Sequence, residues 1–298
     1  MKSKVYFTKR ISPEMLRDMY HALGIELPGK VAIKLHSGEI NNQNFLRPTY
    51  FKPIIDELQG TVVECNTAYG DYYGGVRDHT ENHRILLEKH EWTKYFTVDL
   101  MDAEGPDAVL KIPNGIILKQ NYVGKHLLNY NSMLVLSHFK GHPMGGYGGA
   151  LKQLSIGCAS SKGKAWIHSG GGSTSNIECW EKHAEQDRFL EAMADAASSV
   201  ADHFNGRIAY INTMKNLSVD CDCVTNAEAP CMQDIGILAS LDPVAVDQAC
   251  MDRIYEAKDD PGQEHFLERV NSRHGTHILE AAEKLEMGTR SYELILVD

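Results

Sequence analysis

The chain has 298 residues, 43% apolar and 23% charged, enough to bury a large core and close to the globular average, so the composition does not suggest disorder. Its formal net charge of -10, with a pI near 5.8 and basic residues scattered rather than striped, argues against nucleic acid and anionic membrane as partners. No apolar run approaches the roughly 18 residues of a membrane-spanning helix, and the opening MKSKVYFTKR reads as a short strand, not an export signal, so the expected compartment is the cytoplasm.

In chain order, apolar runs alternate with helical patterns. Val31 to Leu35 and Thr61 to Cys65 read as short buried strands, with a helix from Pro48 to Leu58 between them. A helical pattern covers Asp78 to Trp92 and carries His79 and His83, whose spacing suits an exposed helix face better than a metal site, because the intervening glutamate is misplaced for HExxH. Asp71 to Gly75, just before it, reads as a flexible lid. Strands follow at Phe96 to Leu100 and Met133 to Ser137. After Cys158 come a Gly/Ser turn at Ser169 to Asn176 and a long amphipathic helix from Ile177 to Phe204. Then a strand at Arg207 to Asn212, one at Ile235 to Ala239, and a helix opened by Asp242-Pro243 are expected. Helices at Glu264 to Asn271 and His277 to Leu285 and a strand at Tyr292 to Val297 close the chain. The alternation predicts an α/β fold: a mixed, mostly parallel sheet covered by helices on both faces. One α/β unit spans 1–298, with 165–206 as a helical insertion.

Three places hold chemistry. The first is His138, Lys140 and His142 at the mouth of a strand, followed by Gly145, Gly146, Gly148 and Gly149. On a loop, both imidazoles can turn toward one ligand, Lys140 can hold an anion, and the glycines permit close backbone approach to a cofactor. The competing reading is a surface loop with polar decoration. The second is Asp220-Cys221-Asp222-Cys223, with Cys231 eight residues on. Residues two apart in an extended segment point to the same side, so both thiols can face one soft cation, with Cys231 as a third ligand. Buried free cysteines are the bland alternative, which the flanking aspartates disfavour. The CxC-x7-C spacing fits no standard zinc or ferredoxin pattern. The seven cysteines are odd in number, which disfavours a disulfide framework. The third is His36 in KLHSGE, at the end of a strand, where open α/β sheets bind ligands. A capping role for Ser37 and Glu39 competes with it.

KLHSGE, HFKGHPMGGYGGALKQLSIGCASSKGK, the CDC pair and DIGILASLDPVAVDQAC together resemble the domain of unknown function 362 family, over roughly Lys30 to Tyr255. The resemblance implies a common α/β core and a shared site, and supplies no reaction. Many relatives carry an inserted ferredoxin-like module with two four-iron clusters after GCASxxGK. Here the stretch Ala165 to Arg207 holds only Cys179 and no CxxCxxCxxxCP, so such clusters are not expected. A weaker analogy, prompted by the His/Lys-rich Gly loop alone, is to the lactate racemase fold with its nickel-pincer cofactor.

The expectation is therefore a metal-dependent or redox enzyme acting on a small anionic substrate. Cys221 and Cys223, with Cys231 or a His, would hold a transition metal, His138 or His142 would move a proton, Lys140 would hold substrate charge, and His36 would line the same crevice. A non-catalytic metal or cofactor carrier and a thiol–disulfide switch are the alternatives, and a partner redox protein is a further expectation.

Overall fold

A computed structural model describes residues 2–68, 80–105 and 107–298. His79 and the Asp71–Gly75 lid lie outside the described residues. Strand β1 (Ser3–Thr8) leads into helix α1 (Pro13–Ala22), which Ser12 caps by accepting the Met15 amide, with Pro13 in the first turn. Next come β2 (Val31–Lys34), α2 (Pro48–Leu58), β3 (Thr61–Glu64), α3 (Thr80–Lys89), α4 (Trp92–Tyr95) and β4 (Val98–Leu100). A small hairpin, β5 (Ala108–Lys111) and β6 (Gln120–Val123), precedes β7 (Ser132–His138). After it stand β8 (Lys140–His142), β9 (Gly146–Gly148), α5 (Ala150–Leu154), α6 (Ser161–His168), α7 (Glu178–Glu181) and α8 (Gln186–Phe204). The chain ends with β10 (Ile208–Met214), β11 (Gly236–Ser240), α9 (Pro243–Glu256), α10 (Gln263–Ser272), α11 (His277–Lys284) and β12 (Tyr292–Leu296).

Among the described residues, eight strands form one sheet in the order β12-β1-β11-β10-β7-β2-β3-β4. Every neighbouring pair is parallel except the two that involve β11. The alternation of side chains across the pleat sorts the strands into two cores. Ile33, Leu134, Leu136 and Ile211 face the layer of α1, α2 and α4, while Met133, Val135, Tyr210 and Leu238 face the layer of α5, α8, α9 and α11. This is the mixed, mostly parallel α/β fold expected from the sequence.

Three details differ from the sequence reading. The stretch after His138 is a two-stranded hairpin, β8 with β9, and not an open loop. The helix from Ile177 to Phe204 is broken, because the Ala184 amide turns aside to donate to the His168 carbonyl at 3.0 Å. His83 is buried and its Nδ1 meets Asn66 Oδ1 at 3.1 Å, so this face of α3 points inward. The segment 165–206 packs into the larger core: α8 buries Phe189, Leu190, Met193 and Val200, and its Asp195 accepts three backbone amides of the β5–β6 turn. No described helix is long and apolar enough to cross a membrane.

Candidate active site

Strand order creates the site. From β2 the chain moves outward through β3 and β4, then returns to place β7 on the other side of β2, which makes β2/β7 a topological switch point. Loops leaving the carboxyl ends of such neighbours diverge to opposite faces and open a crevice. His36 follows β2, His138 ends β7, and β10, beside β7, leads into the cysteine segment.

The start of the His36 loop is pinned by a buried ion pair. Lys34 Nζ donates to Glu64 Oε2 at 2.7 Å, and Glu64 Oε1 accepts both the amide (2.8 Å) and the hydroxyl (3.0 Å) of Ser37. Removing either partner of such a pair costs roughly 3–5 kcal/mol, because the remaining charge stays buried and uncompensated. The Trp92 indole N–H donates to the Ser37 carbonyl, so Ser37 holds the bend and caps no helix. Glu39, whose amide donates to the Asp222 carbonyl at 2.7 Å, ties this loop to the cysteine segment. Asn42 adds a donor to the Val224 carbonyl at 2.8 Å, and Asn44 one to Glu228 at 2.7 Å. On the other flank, the Gly141 amide of β8 donates to the Ser218 carbonyl at 2.8 Å. The connection from β10 to β11 is thus threaded between two loops distant in sequence.

This threading brings His36, Cys221 and Cys223 together, with one ligand atom from each lying within 4.8 Å of the others. Cys221 is fully buried, and Lys152 Nζ of α5 lies 3.1 Å from its Sγ. Burial pushes the Cys221 thiol up, but the hydrogen bond from Cys223 and the ammonium charges of Lys152 and Lys140 outweigh it, so Cys221 ionises well below the ordinary thiol value. Cys223 is raised, first by its hydrogen bond to Cys221, so the pair sheds one proton readily and holds the second. Burial works against the charge on Lys152, yet the two cysteines keep its pKa raised.

His142 stands beside Cys223, Nε2 to Sγ at 3.7 Å. Its Nδ1 accepts the amides of Met144 (3.2 Å) and Gly145 (2.9 Å), so in the neutral ring the proton sits on Nε2 and faces the sulfur. Burial, then the charges of Lys152, His168, Lys140 and His36, hold His142 well below the usual imidazole value. These are the signs of a buried, positive neighbourhood.

Asp222, between the two cysteines, gathers the other polar residues. Its carboxylate meets His138 Nδ1 at 2.9 Å and accepts from Lys140 Nζ at 2.9 Å. Burial opposes its charge, but His138 and Lys140 hold its pKa well below the carboxylate range. His138 Nε2 meets the Lys215 carbonyl, so both ring nitrogens are engaged by acceptors. Lys140 and His142, two apart on β8, share one face, and Gly141 turns the other way against Val219.

Gly146, Gly148 and Gly149 are closely packed, whereas Gly145 has room for a Cβ. A Cβ on Gly149 would lie 2.3 Å from Asp247 Oδ1, and the Ala150 and Leu151 amides that open α5 already donate to Asp247. A Cβ on Gly146 would meet Gly275, and one on Gly148 the stem of Lys152. Cys231 stands outside the His36/Cys221/Cys223 group, its Sγ against the Leu217 carbonyl. Asp222 and Lys152 had no assigned role in the sequence. Asp222 sits between the cysteines, whereas nothing marks Lys152, whose thiol partner is 69 positions away.

The family described as Domain of unknown function (DUF362) matches residues 31–252. No curated protein matches the chain. Among solved structures it is similar to the lactate racemase apoprotein from Thermoanaerobacterium thermosaccharolyticum, at 10% identity and a TM-score of 0.43, over 72% of this chain and 51% of that one. It is also similar to a protein of Thermotoga maritima, at 11% identity and a TM-score of 0.41, over 93% of this chain and 60% of that one. The chain thus spans about half the length of the first and three fifths of the second.

Proposed function

The chain belongs to the DUF362 family, and from that premise we propose that it is a metal-dependent or redox enzyme that acts on a small anionic substrate at the Cys221–Cys223 pair. The observation that carries this reading is the convergence of His36, Cys221 and Cys223 within 4.8 Å from two loops distant in sequence. Two thiolates and an imidazole form a donor set that suits a thiophilic transition ion such as zinc, nickel, iron or cuprous copper. When bound, such an ion supplies Lewis acidity or an electron relay.

The protein's own groups have separable tasks in this reading. Lys152 keeps Cys221 ionised, and the N–H of His142 faces Cys223. Asp222 positions Lys140 and His138, and neither ring nitrogen of His138 is left to take a substrate proton. The positive charges of Lys152 and Lys140, both felt at His142, favour an anionic substrate. The imidazole beside the thiols that is not one of the three ligands is His142, whose Nε2 stands 3.7 Å from Cys223 Sγ and is the group placed to move a proton. Cys231 has no part in the centre.

Elemental analysis of protein purified without oxygen or chelator is the test. At this centre about one transition ion per chain is expected in the wild type and in Cys231→Ser, and none in Cys221→Ser/Cys223→Ser. Equal metal in the double variant and the wild type would sink the ligand assignment.

A second reading, a thiol–disulfide switch, draws on the 3.1 Å contact between Lys152 and Cys221. Two thiols would lose two protons and two electrons to an external disulfide such as oxidised glutathione. Metal-free protein whose two cysteines resist alkylation after oxidation, and regain it on reduction, would favour this reading over the first.

A further inference from the structure

A second group of ligating side chains lies between the first turns of α8 and the turn that joins α10 to α11, outside the His36/Cys221/Cys223 group. We infer that Asp187, His274 and His277, with Glu191, form a binding site for a borderline divalent cation such as Zn²⁺. One ligand atom from each of Asp187, His274 and His277 lies within 4.8 Å of the others. His274 Nδ1 meets Asp187 Oδ1 at 2.6 Å, and the two imidazole rings stack 5.0 Å apart at 17°. His277 Nε2 is shielded from solvent, makes no hydrogen bond among the described residues, and stands 3.5 Å from Glu191 Oε1, an ion pair only if the ring is protonated. With Nδ1 donating to Glu280, a neutral ring turns the Nε2 lone pair toward the Glu191 carboxylate, and a cation between them would satisfy both.

The frame holding these groups is built from two elements. Asp187 and Glu191 are four apart on α8 and so share one helix face. His274 sits in the turn between α10 and α11 with a left-handed backbone, φ +47°, and His277 opens α11. Two imidazoles with carboxylates select zinc, nickel or cobalt over magnesium and calcium, which prefer all-oxygen sites. Charge matches as well. The third nearby carboxylate, Glu280, is 3.3 Å from His277 Nδ1 and is also paired with Arg290 at 3.4 Å, which leaves two carboxylates to balance a divalent ion. Arg273, in the same turn, is turned away and donates to the Pro143 carbonyl.

That last bond gives the site a consequence. The turn carrying His274 backs the hairpin that carries His142: Arg273 holds Pro143, and Gly275 packs against Gly146 so closely that a Cβ on Gly146 would lie 2.8 Å from it. An ion joining this turn to α8 therefore stiffens the platform beneath the hairpin.

Equilibrium dialysis against Zn²⁺ with excess Mg²⁺, read by elemental analysis, tests the site. The proteins to compare are the wild type, Cys221→Ser/Cys223→Ser, His274→Asn/His277→Gln and the combined variant. Asparagine tolerates the left-handed turn, and thermal unfolding confirms that each protein is folded. His274→Asn/His277→Gln is expected to lower bound zinc by one ion per chain in both backgrounds, and Asp187→Asn to weaken that ion at least tenfold. Because the comparison is made within each background, failure of the thiol centre does not obscure it. Unchanged zinc after the histidine substitutions, or zinc displaced by Mg²⁺, would overturn the inference.

Discussion

Asp247 shows how a single residue can carry long-range structure that spacing does not reveal. The sequence marks it only as a polar residue in the first turn after Asp242-Pro243. In the fold it is fully buried and accepts the Ala150 and Leu151 amides, 97 and 96 positions away, and the Asn212 side-chain amide at 2.7 Å. Burial raises its pKa to about 6 against the pull of these hydrogen bonds. The unfolded value is about 3.9, so the native state binds the extra proton between about pH 4 and pH 6. The contribution of Asp247 to stability therefore falls as pH rises through that window and is flat above it. A shift of this size corresponds to roughly 3 kcal/mol. Asp247→Asn removes the proton linkage but turns one amide donor toward the Ala150 and Leu151 N–H groups, at a cost of about 1–3 kcal/mol. Urea unfolding of both proteins from pH 4 to pH 7 is expected to show the wild type losing its advantage as pH rises. A difference that stays constant with pH would remove the charge from this account.

The longer elements were legible because burial on both faces leaves an apolar run, as in Val31–Lys34 and in β7, where all seven residues are buried. The hairpin was not, because Lys140-Gly141-His142 and Gly146-Tyr147-Gly148 carry no alternating apolar signal. Local and tertiary contacts make it instead: the His142 ring accepts the amides of its own turn, and Gly141 donates its amide to the Ser218 carbonyl before the cysteines. A Cβ on Gly141 would lie 2.3 Å from the Val219 carbonyl oxygen, which backbone cannot easily yield. Gly145 is the internal control, since its Cβ would find nothing nearer than 3.5 Å. Gly141→Ala is expected to cost about 1–3 kcal/mol by overpacking and to lower both the urea midpoint and the metal bound at the thiols. Gly145→Ala should leave both near wild type. Equal midpoints for the two variants would show that the close approach of β8 to Val219 does not hold the site.

At the scale of the molecule, the alternation of strands and helices predicted the α/β class but not the order of the strands, and the order is what makes the site. Only with β2 beside β7 and β7 beside β10 do His36 and the cysteine segment reach one crevice. The antiparallel β11 follows from the same path, because the long connection through Cys221 and Cys223 ends at the carboxyl edge and the chain must run back. A ligand that joins these two loops binds the native chain and not the unfolded one, and so stabilises the whole fold. At a free metal concentration 100 times the dissociation constant, the gain is about 2.7 kcal/mol. With an unfolding entropy of roughly 2.1 cal/mol/K per residue, that gain raises Tm by about 4 °C for a chain of this length. The part of the rise that the crevice metal supplies is expected in the wild type, reversed by chelator, kept in His274→Asn/His277→Gln and absent from Cys221→Ser/Cys223→Ser. That pattern ties the stabilisation to the crevice and separates it from any ion between α8 and the α10–α11 turn. A rise that survives loss of both thiols but not of the histidines would move the stabilising metal out of the crevice altogether.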